Sequence, residues 1–273
     1  FGVAFLNSMI YGLGFVAIHI IGGTVATKQP AMTAAAIAST ISEVKGRKAA
    51  QFTKLTELVV DIMRTQFIAI MGNISIAMPI ALLISSMWLY GLGRPLTSEA
   101  SAEHLLHDLN PFTSLAIFHA AIAGVYLYIS GLIAGYYDNL AVHNKIGERI
   151  RNHPTLKRMM TPVTLLRFSD FIERNLGAIM SNFLFGCFLG STATIGYIFG
   201  LPLDIRHIAF ASANFIHGIF NIYANTGKFP EIGIILVSLF GVMVIGMINL
   251  LVSFSLALMT ALRARNVKVF EWK

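Results

Sequence analysis

An all-α, polytopic membrane bundle is the fold class that three observations in this sequence predict. Five runs carry no charged side chain, near 1–27, 65–93, 112–137, 176–203 and 232–262. Only 12% of the chain is charged while 56% is hydrophobic, against about 25% charged in a soluble domain. The lysines and arginines, finally, fall in alternate loops. An α-helix rises about 1.5 Å per residue, so roughly 20 residues cross the ~30 Å hydrocarbon core of a bilayer. Each run meets that length. A single membrane domain over 1–273 is the organisation expected.

The first run, 1–27, holds Asn7 and His19 in apolar surroundings and stops at Lys28-Gln29-Pro30. Lys28 can reach headgroups there, and Pro30 can open a new helix because its missing N–H costs nothing at a first turn. The chain begins at Phe1 with no basic stretch before the apolar run, so the start reads as a truncation and not as a signal peptide. Ala31–Ile41 is too short to span. Ser42–Arg64 is charged, with Leu55, Leu58, Val59 and Ile62 on one side, and reads as an amphipathic helix running into the second span.

The second run carries Asn73, a Pro79 expected to kink it, and Trp88 and Tyr90 as interfacial anchors. Arg94–Pro111 reads as a short polar loop. The third run holds His119 and the pair Gly131/Gly135. Asp138–Asn175 is basic, and much of it reads as cytoplasmic helix. The fourth run, 28 residues from Leu176 to Leu203, contains Asn182 and the pairs Gly186/Gly190 and Gly196/Gly200. Small residues four apart let another helix approach closely, either within the bundle or in an oligomer. The fifth run holds Asn249.

Charge sets the orientation. Lys and Arg number six over 28–64, one over 94–111, seven over 138–175, two over 204–231 and four over 263–273. The positive-inside bias then places the C-terminus in the cytoplasm after five spans. The same bias accounts for the net charge of +7 without DNA, so nucleic acid is not an expected partner. The expected partners are the lipid bilayer and other membrane subunits or further copies of the chain.

The sequence carries no catalytic signature. Gly22–Lys28 lacks the second glycine of a phosphate-binding loop and does not follow a strand. The eight histidines show no H-x-x-x-H or H-E-x-x-H spacing, although His104 and His107 stand three apart in one loop. No G-x-S-x-G occurs, and Cys187 is a lone cysteine. No catalytic residue, metal or cofactor is assigned. The runs contain no Asp, Glu, Lys or Arg, the groups that intramembrane proton relays use. Asn7, His19, Asn73, His119, Asn182 and Asn249 remain as intramembrane polar candidates. They either pair between helices, as in a scaffold, or converge on one cavity, as in a conduit for an apolar or lipid-like molecule.

Asp204–Gly227 is the most informative stretch outside the runs. Asp204 can cap a helix starting at Ile205. His207, Asn214, His217, Asn221 and Asn225 then recur at helical spacing, a narrow polar stripe expected to face water, headgroups or a cavity. Were 205–227 to span, the basic tail would move outside. An interfacial or re-entrant helix at the external face is therefore expected. In one reading Asp204, Arg206 and His207 edge a binding site lined by Asn214 and His217. In the other, Asp204 and Arg206 are a cap and ion pair fixing the turn.

A family resemblance runs over nearly the whole chain. It is carried by Thr27-Lys28-Gln29-Pro30-Ala31-Met32-Thr33, by Glu148-Arg149-Ile150-Arg151-Asn152-His153-Pro154, and by Asn175-Leu176-Gly177. Leu189-Gly190-Ser191-Thr192-Ala193-Thr194 and Gly200-Leu201-Pro202-Leu203-Asp204-Ile205-Arg206-His207-Ile208-Ala209-Phe210 complete it. These segments resemble the C-terminal membrane part of the bacterial family named "site-specific recombinase", typified by the gonococcal cryptic recombinase. The resemblance implies a longer protein with a mostly helical upstream region, placed in a Gram-negative inner membrane. It also implies DNA recombination as the alternative function. A tyrosine recombinase needs arginines and a histidine around a scissile phosphate; this chain has no H-x-x-R.

Overall fold

The computed structural model describes residues 2–22 and 48–264, and among these it is helical without strands. The boundary motif Lys28-Gln29-Pro30, the segment Ala31–Ile41, the start of Ser42–Arg64 and the tail beyond Ala264 lie outside the described residues. The helices are α1 (Gly2–Ile20), α2 (Lys48–Leu92), α3 (Glu99–His107), α4 (Ala116–His143), α5 (Ile146–Asn152), α6 (Pro154–Met159), α7 (Pro162–Phe199), α8 (Ile208–Thr226) and α9 (Ile232–Ala264). Five segments are long and apolar enough to cross a membrane: Gly2–Ile20, Phe67–Leu92, Ala116–His143, Pro162–Phe199 and Ile232–Ala264. Their outward residues are apolar, among them Phe5, Ile10, Ile76, Leu83 and Leu251. A surface of that kind fits lipid and not water.

The helix ends follow from local chemistry. Thr161 caps α7 by accepting the Thr164 N–H on its hydroxyl, with Pro162 at the first helical position. Gly200, at φ +64°, closes α7, a left-handed conformation that costs glycine little. α2 continues unbroken through Pro79, so the amphipathic stretch and the second span are one helix. The helix containing the fourth apolar run likewise begins at Pro162, well before Leu176. α4 begins at Ala116 and not at Phe112, because Asn110 and Ser114 divert the chain. Asn110 Oδ1 accepts the Phe112 N–H and Ser114 Oγ accepts the Ala116 N–H.

Two compact units divide the chain. The first contains α1, the part of α4 from Tyr126, and α5 to α7. Within it α1 lies directly on α7. A Cβ on Gly186 would strike the backbone at Tyr11 and Gly12, and one on Gly190 the backbone at Asn7 and Ser8. Ser8 Oγ donates to the Cys187 carbonyl at 3.2 Å, and the rings of Phe15 and Phe185 lie 5.3 Å apart. One of the predicted glycine pairs therefore serves a contact inside the chain.

The second unit contains α2, α3, the start of α4, α8 and α9. Its core holds Ile70, Leu106, Leu109, Ile208, Phe215 and Ile245. Here α8 runs alongside α2 in the same direction. Ile208 and Ile70 both border the face of Gly246, His217 meets Ser85, and Asn221 and Asn225 meet Leu96 and Thr97. No residue from Ile208 to Ile222 is exposed. α3 runs the other way along α8, with Thr97 just before it beside Asn225 and its Leu106 against Gly218, while Leu109 just beyond it lies against Gly241 of α9. The expected polar loop 94–111 is thus corrected: its middle is a helix whose Ala102 and Leu106, with Leu109 just beyond its end, are at most 1% exposed. Their spacing of four and three residues is an apolar helical stripe that the surrounding charges mask.

Candidate functional site

Asp108, Asp204 and Arg206 come together where two non-helical segments meet the middle of α9. One segment follows α3, from Asp108 to Leu115; the other precedes α8 and ends at Arg206-His207. Arg206 is the hub. Its Nη2 meets Asp108 Oδ2 at 2.8 Å, and Nη1 bonds the Asp204 carboxylate and the Ile205 carbonyl. Nε points to the Asp108 carbonyl at 3.5 Å. A guanidinium has five N–H donors, so one at most is left over. Asp108 is shared, since His104 Nδ1 lies 3.1 Å from the same Oδ2.

Asn249 holds the backbone of this cluster together. It sits near the midpoint of α9 and is 1% exposed. Its Nδ2 donates to the carbonyls of Ala120 and Arg206, each at 2.8 Å, and its Oδ1 accepts the Ile208 N–H at 3.0 Å. The Arg206 N–H in turn reaches the His119 carbonyl at 3.4 Å. Both polar atoms of one amide side chain are spent on main chain, and two of the three groups they meet, the Arg206 carbonyl and the first-turn Ile208 N–H, lie outside any helical ladder. That is the requirement for irregular backbone away from water.

The start of α8 differs from the expected one. The helix begins at Ile208, not Ile205, and Asp204 Oδ1 accepts only the neighbouring Ile205 N–H at 2.8 Å. Asp204 is occupied by Arg206, so Asn249 from another helix takes the capping role. His207 precedes α8 without a side-chain cap bond, edge-on to Phe210. It is 5% exposed, and burial pushes its pKa down to about 4, because a buried imidazolium would lose its hydration.

The polar stripe of α8 is largely taken up by protein partners. His217 Nδ1 meets Ser85 Oγ at 2.6 Å. Asn221 is fully buried; its Oδ1 accepts the N–H groups of Leu96 and Thr97 at 2.9 and 3.3 Å. Asn225 donates to the Thr97 carbonyl. These side chains replace water as partners for the turn between α2 and α3. Asn214 is half-buried and makes no hydrogen bond among the described residues. His217 lies ten residues beyond His207, about 15 Å along a helix. Asp204 and Arg206 therefore share one cluster, while Asn214 and His217 belong to separate stretches of α8.

The intramembrane polar candidates are also dispersed. His19 Nε2 meets Asn175 Oδ1 at 3.0 Å in the first unit, and Asn73 donates to Ala69 on its own helix at 2.8 Å. His119 and Asn182 are buried and neither is free. Asn7 is half-buried beside Gly190. The sequence did not single out Asp108 or Ser85, which partner Arg206 and His217, and it gave Asn175, the partner of His19, no role. Asp108 carried one signal, an acid four residues after His104 at the end of a short apolar stripe. Among the described residues no three His, Cys, Asp or Glu side chains come together as a metal site.

No curated protein and no solved structure matches this chain. A family model described as "Site-specific recombinase" matches residues 1–273. The match covers the whole chain, including both segments that meet at Arg206, and the chain is a member of that family.

Proposed function

We propose that this chain is a non-enzymatic scaffold subunit of a bacterial inner membrane, with its C-terminus in the cytoplasm. One observation carries the reading: the polar side chains within apolar helices are spent on fixed partners. His19 takes Asn175, Asn73 takes its own helix, and Asn249 takes three backbone groups. A conduit would instead turn several of them toward one cavity. The alternation of basic loops supports the orientation. The course of α8 supports the re-entrant alternative: it starts beside Ile70 and ends at Thr97, the end of α2 that this orientation places outside. The cluster at Arg206 then reads as the cap and ion pair of the turn. Its donors are nearly all matched, which leaves little for a ligand.

Substituted-cysteine accessibility tests the scaffold against the conduit. Asn73→Cys and Asn182→Cys, each in a Cys187→Ser background, should resist a membrane-impermeant thiol reagent in folded membranes and react after denaturation. Labelling of both in the folded state would favour a conduit.

The family's description favours a second reading, strand exchange on DNA. Arg206 is boxed in by two carboxylates, an arrangement that competes with a scissile phosphate. The full chain in nanodiscs should show no salt-sensitive duplex binding beyond that of its lipids; specific, salt-sensitive binding would support recombination.

A further inference from the structure

The second unit contains a cleft of about 590 Å³ between α3, the end of α8 and the start of α9. That volume suits a small ligand or a lipid headgroup with part of its chains. Its inner wall is apolar, built from Leu106, Ile222 and Val237. Its rim carries Glu103, Glu231 and His107, and among the described residues no lysine or arginine lines it. Both glutamates are exposed, and neither forms an ion pair among the described residues.

The wall continues outward. Ile234, one turn before Val237 on the same face of α9, lines the cleft and is 46% exposed. The cleft therefore opens along an apolar flank of α9, a helix of bilayer length. Asn110 also lines it; its Oδ1 is used by the Phe112 N–H, which leaves its amide hydrogens as donors.

We propose that this cleft binds a membrane phospholipid with a primary-amine headgroup. The ammonium group lies between Glu103 and Glu231, where its three N–H donors meet carboxylate acceptors. The phosphodiester takes donors from Asn110 and His107, and an acyl chain follows Ile234 and Val237 along α9. Charge complementarity selects this occupant. A choline headgroup has no N–H to donate, and an anionic headgroup would meet two like charges. The site stands apart from the scaffold reading and survives its failure.

Native mass spectrometry of the full chain in detergent provides the test, with phosphatidylethanolamine, phosphatidylcholine and phosphatidylglycerol of identical acyl chains added in turn. Phosphatidylethanolamine should be retained about tenfold more than either of the others, the factor expected from charge-assisted hydrogen bonds. The E103Q/E231Q variant should reduce its retention to the phosphatidylcholine level, with elution volume and thermal midpoint unchanged because both side chains are exposed. Equal retention of the three lipids by the unaltered chain would overturn the proposal. So would a preference for phosphatidylethanolamine that survives E103Q/E231Q. Should the double variant misfold, the headgroup comparison on the unaltered chain decides alone.

Discussion

Asn249 on α9 accepts the backbone N–H of Ile208, the first residue of α8, at 3.0 Å. A helix start is ordinarily capped by the residue just before it. Here the preceding residue is His207, whose side chain makes no cap bond, and the acceptor arrives from 41 residues further along the chain. The same amide binds the Ala120 and Arg206 carbonyls, so one side chain ties together the starts of α4 and α8 and the middle of α9.

Asn249→Leu should therefore destabilise the protein by about 3 kcal/mol, since it strands the buried Ile208 N–H and the Arg206 carbonyl and removes a further bond to the Ala120 carbonyl. Asn249→Asp keeps the acceptor for Ile208 but loses both donors, and should also destabilise. Unfolding by denaturant titration in mixed micelles measures both variants. A Leu variant as stable as the parent would show that water or relaxation satisfies those groups.

Close packing of α1 on α7 makes a prediction in the first unit. Ser8 Oγ lies 3.2 Å from the Cys187 carbonyl, and Cys187 Sγ lies 3.7 Å from the Ser8 carbonyl. Ser8→Cys should form a disulfide with Cys187 under mild oxidation, seen as a mobility shift that a reductant reverses. Gly186→Val should abolish it, because a side chain there strikes the α1 backbone at Gly12.

His207 predicts a pH dependence. Burial lowers its pKa from 6.5 to about 4, so the folded state prefers the neutral ring. The stabilisation is fully present above pH 6.5 and is lost as pH falls from there toward 4, because the unfolded chain takes up the proton first. The whole window is worth ~3 kcal/mol. His207→Gln should flatten unfolding free energy between pH 6.5 and 4; an unchanged slope would assign the dependence to other groups.

Much of the fold was legible, and what was hidden has a common cause. Charge-free runs of bilayer length are a property of local composition, so the five apolar helices could be read directly. The glycine pair Gly186/Gly190 and the ion pair of Arg206 with Asp204 were visible for the same reason: their partners are near in sequence or their spacing is regular. Asp108 was not, because its partner lies 98 residues away and its helix is masked by surrounding polar residues. The stripe of α8 was seen but was expected to face water, headgroups or a cavity. Sequence marks a polar face; it does not say whether water or another turn's backbone satisfies it. Asn221 with Leu96 and Thr97 is the case in point.

Orientation is tested by single cysteines on exposed residues. In a background lacking Cys187, Ser101→Cys should react with an impermeant reagent from the periplasmic side and Asn152→Cys should not. Reversed labelling would overturn the orientation and with it the external end assigned to α8.

The central claim is that Arg206 fastens the fold and is not held ready for a ligand. A double-mutant cycle on unfolding free energy, with Arg206→Ala, Asp108→Ala and the pair, tests it most directly. Removing one partner of a buried ion pair costs about 3–5 kcal/mol. Either single variant should therefore unfold much more readily, and the pair should cost clearly less than the sum, a coupling of about 2 kcal/mol. Single variants as stable as the parent, with no coupling, would contradict the account and mark Arg206 as a group kept for binding.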